Sequence, residues 1–493
     1  MPAAPIYRPM AVDSLPRPIN RRCANKLGAY GYDRSWLRKL IIGELQERSP
    51  WRAINTVAAI VNRIQFMRAL RSRPFALLWL GQTISSLGDG AFFMALAWQI
   101  LLLTRSATAM GIVMTAEMIP RLLFLLLGGV AADRLPKRLV MLCSDAGRAI
   151  AVLGIALSGW FHLLQFWHLV ALSLFFGAVS GFFSPAYRAL PPQLVKTEDL
   201  TSANALTSLS GQLTGLVGPA IGAGLVSQVG PASAFAFDGL TFVFSALCLF
   251  ALRLPALPIA SSSQNEHAGT VLVAAGEQDS ASPPRRGVRE LVQDVREGLG
   301  YVSRSTWIWV TILVAAMLNL GISAPLFVAM PKLVHDVYGA GAWLLGAIAT
   351  ASALGSIFAT LIVGQVGRLH RRGLLAYLAI MLSSLAFMLF GWPVSHANAL
   401  FIAPIAGALV GFGLGIFDVI WVTVLQELIP GDKLGRVTSI DMLGSFCLLP
   451  LGYAICGVLA DRIGPGRVFV AGGMLTLILA LLALTVRGIR QLD

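Results

Sequence analysis

A chain of 493 residues with 56% hydrophobic and only 13% charged residues is far from a soluble globular protein, in which roughly 25% are charged. Its mean hydropathy of +0.73 indicates repeated membrane spans, so the lipid bilayer is its first partner. The formal charge of +14 does not indicate nucleic acid. Most Lys and Arg lie before residue 75 or in short loops between apolar runs, and no segment is long enough to form a soluble domain with a basic face.

Residues 1–66 are rich in Arg and Pro and have no apolar run of signal-peptide type at their start. Met67-Arg-Ala-Leu-Arg-Ser-Arg-Pro looks like the natural opening of a membrane protein. The extension 1–66 is therefore expected to be dispensable or disordered, the alternative being a surface-lying helix from about Trp36 to Ile64. Apolar stretches near 20 residues, the length that crosses the hydrocarbon core, then run at 76–103, 107–132, 139–160, 166–187, 203–228 and 232–253. Six more follow at 307–330, 341–365, 373–392, 398–425, 435–461 and 466–486. The fold class is thus an all-α polytopic membrane protein of twelve transmembrane helices.

An even number of spans puts both termini on one side. Loops 2–3, 4–5, 8–9 and 10–11 carry Arg134, Lys137, Arg138, Lys196, Arg368, Arg371, Arg372, Lys433 and Arg436. Loops on the other side carry Arg105, Lys332, Arg462 and Arg467. Lys and Arg are retained on the cytoplasmic side, so both termini are expected in the cytoplasm, with the chain in the cell (inner) membrane.

Residues 255–305 separate the two sets of spans. The stretch from Ser261 is polar and aperiodic, as a flexible linker is. From Arg289 to Tyr301 the spacing of Leu291, Val292, Val295 and Leu299 fits either an amphipathic helix on the cytoplasmic face or a solvated charged linker. The flanking sets repeat. Gly129-Val-Ala-Ala-Asp133-Arg134-Leu-Pro-Lys137-Arg138 corresponds to the basic loop Gly367-Arg368-Leu-His-Arg371-Arg372. The same shift pairs Gly177 with Gly411, Gly181 with Gly415, and Gly230-Pro231 with Gly464-Pro465. The chain is two copies of one six-span half, 67–254 and 306–490, and duplicated halves are the architecture of alternating-access carriers.

Ionisable groups at mid-membrane are costly and mark pathways or coupling sites. Asp89 lies near the centre of the first span with no partner on its own helix. Glu117 and Arg121 lie near the centre of the second, at i and i+4 on one face, where they either neutralise each other or act on Asp89. Burial disfavours an ionised carboxylate and a nearby cation favours it. Asp89, Glu117 and Arg121 are therefore the candidate proton-coupling or substrate groups. Asp145 and Arg148, at i and i+3 in the third span, are expected to form a structural ion pair supporting the Asp133 loop. Asp238 is expected at a helix start or bonded to Thr241. For Asp418 and Asp441, gating and packing both stay open. Gly218, Pro219 and Gly222 form a helix-bend candidate in the fifth span, because small residues permit close approach and Pro bends a helix; close packing alone also accounts for them.

The cysteines and histidines show no metal-ligand spacing, so neither metal nor cofactor is expected. No Gly-x-x-x-x-Gly-Lys-Ser/Thr run exists to cradle phosphates. No His-x-x-x-x-Asp or His-Glu-x-x-His pattern exists either, so an enzyme is not expected.

Twelve spans, the six-plus-six duplication and the Gly-x-x-x-Asp-Arg loop after the second span resemble the major facilitator superfamily. Leu78-Trp79-Leu-Gly-Gln-Thr-Ile-Ser, Ser86-Leu-Gly88-Asp89, Ser184-Pro185-Ala-Tyr-Arg188 and Phe237-Asp238-Gly-Leu-Thr241-Phe are similar to its enterobactin-exporter and macrolide-efflux branch. The export-type run Gly-Pro-x-x-Gly-Gly is only partly present, as Gly218-Pro219-Ala-Ile-Gly222-Ala223. The resemblance implies a gating loop of Gly129, Asp133, Arg134, Lys137 and Arg138, with Asp133 meeting the start of the eleventh span near Gly435 and Arg436. Gly367 replaces Asp133 in the second copy, which implies a one-sided latch. The resemblance also implies a cavity lined by spans one, four, seven and ten, to which Asp89, Phe93, Gln99, Phe183, Asn319 and Trp421 contribute.

The expected function is a secondary active transporter: a monomeric, proton-coupled exporter of bulky amphiphilic small molecules, siderophore or drug. Import or uniport of another solute is the alternative within transport. A non-transporting receptor or scaffold is the alternative outside it.

Overall fold

The computed structural model describes residues 65–252, 288–366, 370–392, 396–490 and 492, without the side chains of 65–66, 126–127, 129–134, 197, 288–295 and 431–432. The expected N-terminal extension and most of the inter-half linker therefore lie outside the described residues. By internal contacts the chain divides after Arg68, and the unit that begins at Ala69 holds every membrane span.

Among the described residues twelve helices are long and apolar enough to cross a membrane. We label them α1 (Arg73–Thr104), α2 (Ala107–Arg134), α3 (Lys137–Trp160), α4 (Phe166–Ala189), α5 (Leu200–Gln228) and α6 (Pro231–Ala251). The second half comprises α7 (Thr306–Val328), α8 (Ala342–Gln365), α9 (Arg372–Gly391), α10 (His396–Leu428), α11 (Lys433–Ile463) and α12 (Pro465–Ala483). Helices are what such sequences must form, since lipid offers no partner to a free backbone group.

The duplication is visible in the packing. Gly177 and Gly181 on α4 press against α2, where an added Cβ would overlap the Glu117 carbonyl and the Phe124 side chain. Their copies Gly411 and Gly415 on α10 press in the same way against Ser352 and Ser356 of α8. α6 and α12 both open on a Gly-Pro pair whose glycine has positive φ, +110° at Gly230 and +90° at Gly464. Glycine takes that conformation without steric cost, and Pro at the first helical position suits the helix that follows.

Within the first half, α1 packs on α5 and α6, α2 on α4, and α3 on α6 and α4; between the halves α2 meets α11 and α5 meets α8. The α5 glycines serve close approach. Gly218 faces Gly90 and Leu87 of α1, and Gly222 faces Ala91. α5 runs unbroken through Pro219.

Two spans depart from plain helices. α7 contains a wide π-type turn at Asn319–Ser323, just before Pro325, which has no N–H to donate and whose ring displaces the carbonyl four residues back. α11 is made of two helical pieces, Gly431–Phe446 and Leu449–Ile463. The charged segment before α7 is a helix, Val288–Arg304, which favours the amphipathic alternative. It lies on the start of α11: Gly298 abuts Ile440, Glu297 pairs with Arg436 at 2.7 Å, and the Tyr301 ring sits 5.4 Å from the Lys433 ammonium.

The loops α2–α3, α4–α5, α8–α9 and α10–α11 share one end of the bundle, here the basic end. The α1–α2, α7–α8 and α11–α12 loops mark the opposite end.

Candidate functional site

A cavity of about 890 Å³ extends from Phe93 of α1 and Asn319 of α7 between α8, α10 and α11 to Gln426 and Leu434 at the basic end. Its walls are mostly apolar. Phe93 meets Phe327 edge-on at 5.1 Å, and Trp421 stacks on Phe417 at 6.3 Å. Asn319 is fixed by the broken turn of α7: its Nδ2 donates to the Ser445 carbonyl at 2.9 Å, and its Oδ1 accepts from Ser323 at 2.9 Å. Asp418 and Asp441, whose part the sequence left open, both line this space.

Of the expected cavity residues, Phe93, Asn319 and Trp421 are in the wall; Asp89, Gln99 and Phe183 are not. Gln99 is nearly two helical turns beyond Phe93, about 9 Å along the axis at 1.5 Å per residue, where the halves close together. Phe183 turns into the first half instead, with the Arg148 guanidinium 4.5 Å from its ring centre.

A second polar centre lies inside the first half. Arg148 sits between the rings of Phe183 and Phe242, 4.4 Å from the latter, and pairs with Asp145. Asp145 also accepts from Ser245 Oγ at 2.7 Å and from Gln82 Nε2 at 3.4 Å. The Asp145–Arg148 pair expected from sequence is thus formed, and the side chains around it come from α1, α4 and α6. Asp238 is fully buried. Its backbone carbonyl accepts from Thr241 Oγ1 at 2.7 Å, and its Oδ2 has no hydrogen-bond partner.

Asp89 is next to Gly88, whose missing Cβ leaves room for Asp238 and Thr241. Since Gly88 faces α6 and Gly90 faces α5, Asp89 points into the interior of the half, and it is exposed there. Glu117 and Arg121 pair with each other at 2.9 Å, the neutralising alternative of the sequence. Arg148 thus pairs with Asp145, while Asp238 lies against Gly88, beside Asp89.

At the opposite end one carboxylate joins the halves. Asp461, in the last turn of α11, accepts from the Ala107 and Thr108 amides at 2.9 Å each. It also accepts from Ser106 Oγ at 2.6 Å and Thr108 Oγ1 at 2.7 Å, and it pairs with Lys332. It thus satisfies the free N–H groups at the start of α2 and puts a negative charge where the helix dipole favours one. Gly457, one turn earlier, lets the backbones meet: an added Cβ would lie 2.7 Å from the Ala107 carbonyl. Sequence reasoning missed Asp461, although the signal was present. Gly457-Val-Leu-Ala-Asp461-Arg462 repeats the pattern Gly129-Val-Ala-Ala-Asp133-Arg134, at the end of a different span.

In the expected gating loop, Asp133 and Arg134 form the last turn of α2; their side chains, and that part of Gly129, are outside what the structure describes. Lys137 opens α3. Arg138 donates from Nε to the Leu249 carbonyl at 2.7 Å and from Nη2 to the Phe250 carbonyl at 2.5 Å, closing the C-terminal end of α6, where cations are favoured.

Two six-helix halves, with a cavity that reaches toward the basic end and a clasp between the halves at the other, are the architecture of a membrane transporter. The chain belongs to the Major Facilitator Superfamily, whose sequence profile matches residues 78–450. It is 23% identical over 420 residues to Macrolide efflux protein A of Streptococcus pyogenes, covering 85% of this chain and 97% of the relative. It is 25% identical over 441 residues to the Multidrug efflux pump Tap of Mycobacterium tuberculosis (87% and 96%). To the Enterobactin exporter EntS of Shigella boydii it is 26% identical over 422 residues (85% and 92%). These relatives agree with the branch its motifs resemble. Among solved structures, the nucleoside transporter NupG superposes with a TM-score of 0.59 at 14% identity, covering 84% of this chain and 98% of that one. A bacterial homologue of the lysosomal transporter Spinster gives 0.60 at 14% identity (85% and 97%). These two likenesses concern the fold alone.

Proposed function

We propose that this chain is a monomeric, proton-driven exporter of bulky amphiphilic small molecules in the inner membrane, both termini cytoplasmic. The observation carrying the solute class is the cavity: about 890 Å³, mostly apolar, with a few fixed polar groups, the composition of a site for large apolar ligands. The names of the efflux relatives support export. The nearness of Asp89 to Asp238 at Gly88 supports protons as the driving ion, because Asp238 is fully buried with an unpartnered oxygen, and a buried carboxylate without a cation of its own needs a proton. Asp89, exposed to the interior, is the group through which protons enter and leave. Glu117 and Arg121, paired with each other, support the wall beside it.

Alternating access follows from the two ends. Asp461 holds the opposite end shut while the cavity communicates with the basic end, the arrangement of an inward-open carrier. When the halves rock, Asp133 is the group expected to close the basic end. The decisive experiment is proteoliposome flux of amphiphilic solutes under an imposed pH gradient. Uphill movement that collapses when the gradient is dissipated supports the proposal, and movement indifferent to it defeats it.

Two further results are expected. Reporter fusions after Pro258 and at Asp493 report cytoplasm, and one after Val229 reports the exterior; an external reporter at Pro258 would overturn the topology. Asp461→Asn removes the charge from the α2 cap, a contribution of about 0.5–2 kcal/mol. With Trp98→Cys as reporter behind the clasp, maleimide labelling from outside is expected to rise several-fold. Unchanged labelling would mean that Asp461 holds nothing closed.

A further inference from the structure

Among the described residues, the cavity walls carry two carboxylates, Asp418 on α10 and Asp441 on α11, and no Lys, Arg or His. Asp418 is exposed to the space. Asp441 accepts from Trp421 Nε1 at 3.2 Å through Oδ2, while its Oδ1 is shut away from the surface without a hydrogen-bond partner. Ser445 and Asp418 line the same cavity as Asp441. Two carboxylates facing one cavity with no cation among the described wall residues favour positive charge from the solute, since an opposite charge nearby stabilises the ionised form.

The surroundings narrow down what brings that charge. A bare inorganic ion such as calcium takes about six to eight oxygen ligands at short range, whereas this wall presents mainly rings and aliphatic groups. Trp421 is stacked with Phe417 and met edge-on by Trp307 at 5.9 Å. Aromatic faces attract organic cations, and the volume suits a body of drug size.

We infer that this cavity selects amphiphilic organic cations, protonated amines or quaternary onium ions, with Asp441 and Asp418 supplying the counter-charge and Trp421 an aromatic face. The inference deepens the exporter proposal, on which it relies for direction of transport but not for binding. It sets the chain apart from carriers of anionic amphiphiles, for which the two carboxylates would be repulsive.

The test is equilibrium binding to the purified full chain in nanodiscs, counted against protein-free nanodiscs. The probes are tetraphenylphosphonium and tetraphenylborate, matched in shape and opposite in charge. Saturable phosphonium binding is expected, with borate at least about ten-fold weaker, roughly the tenfold that 1.4 kcal/mol represents. Asp441→Asn and Asp418→Asn are each expected to weaken phosphonium binding about ten-fold, while Ser439→Ala, on α11 but outside the wall, leaves it unchanged. Size-exclusion profiles identify variants that fold. Equal binding of the two probes, or wild-type affinity in folded Asp→Asn variants, would overturn the inference. Phosphonium binding without proton-driven efflux would defeat the exporter proposal and leave this site standing. Proton-driven efflux of an anionic amphiphile without phosphonium binding would do the reverse.

Discussion

Asp89→Asn is expected to abolish proton-driven efflux while leaving solute binding in place. The substitution fixes the side chain in a form like the protonated acid, so no proton is exchanged as the cavity changes sides. Solute contacts survive because the cavity is walled by α7, α8, α10 and α11 with Phe390 of α9, and takes from α1 only Phe93 and Met94. The measurement is uphill accumulation in proteoliposomes beside counterflow exchange, which needs no gradient. Lost accumulation with retained counterflow identifies a coupling group. Retained accumulation moves the coupling site elsewhere, and Asp238, buried behind Gly88 with a free oxygen, becomes the next group to replace.

Arg148→Ala is expected to be the most damaging single change to the fold. It leaves Asp145 as a buried charge with only Ser245 and Gln82 to bond it, a loss of about 3–5 kcal/mol. It also empties the slot between Phe183 and Phe242, where a desolvated cation–π contact contributes about 2 kcal/mol. The measurement is the monodisperse yield and thermal unfolding midpoint in detergent. Arg148→Leu combined with Asp145→Leu removes both charges and is expected to recover most of the lost stability, since an ion pair replaced by apolar groups of similar size is often neutral. If the double variant folds but does not couple transport to protons, Arg148 also acts on Asp89. If Arg148→Ala is as stable as the parent, the buried network is not what holds α3 to α1 and α6.

Twelve spans, the duplication and the branch were legible because they rest on local pattern: run length, loop charge, and Gly-Pro pairs at a fixed shift. The Asp145–Arg148 and Glu117–Arg121 pairs were legible for the same reason, being one helical turn apart. The partners of Asp145 on other helices were not, because Gln82 of α1 and Ser245 of α6 reach it across the bundle and no spacing along the chain encodes that meeting. Phe183 was placed in the cavity by its span, and only the packing of α4 on α3 shows that it faces Arg148. The walls contributed by α8 and α11, with Asp441 among them, were missed because spans one, four, seven and ten were taken as the lining. Asp461 escaped because a charge next to Arg462 looks like an ordinary loop residue until Gly457 is seen to bring α11 against α2.

The recurrence of Gly-Val-x-Ala-Asp-Arg at the ends of both α2 and α11 bears on how hard the carrier must be pushed. α2 and α11 pack together across the halves, and at the opposite end the carboxylate of α11 closes the first turn of α2. If Asp133 meets the first turn of α11 in the other state, as the family resemblance implies, rocking exchanges one carboxylate-capped helix start for another of the same make. The contributions of the two clasps then offset each other in part. A ligand moves such an equilibrium only by its differential affinity for the two states, and substitutions at either aspartate act as weights on one pan of a balance.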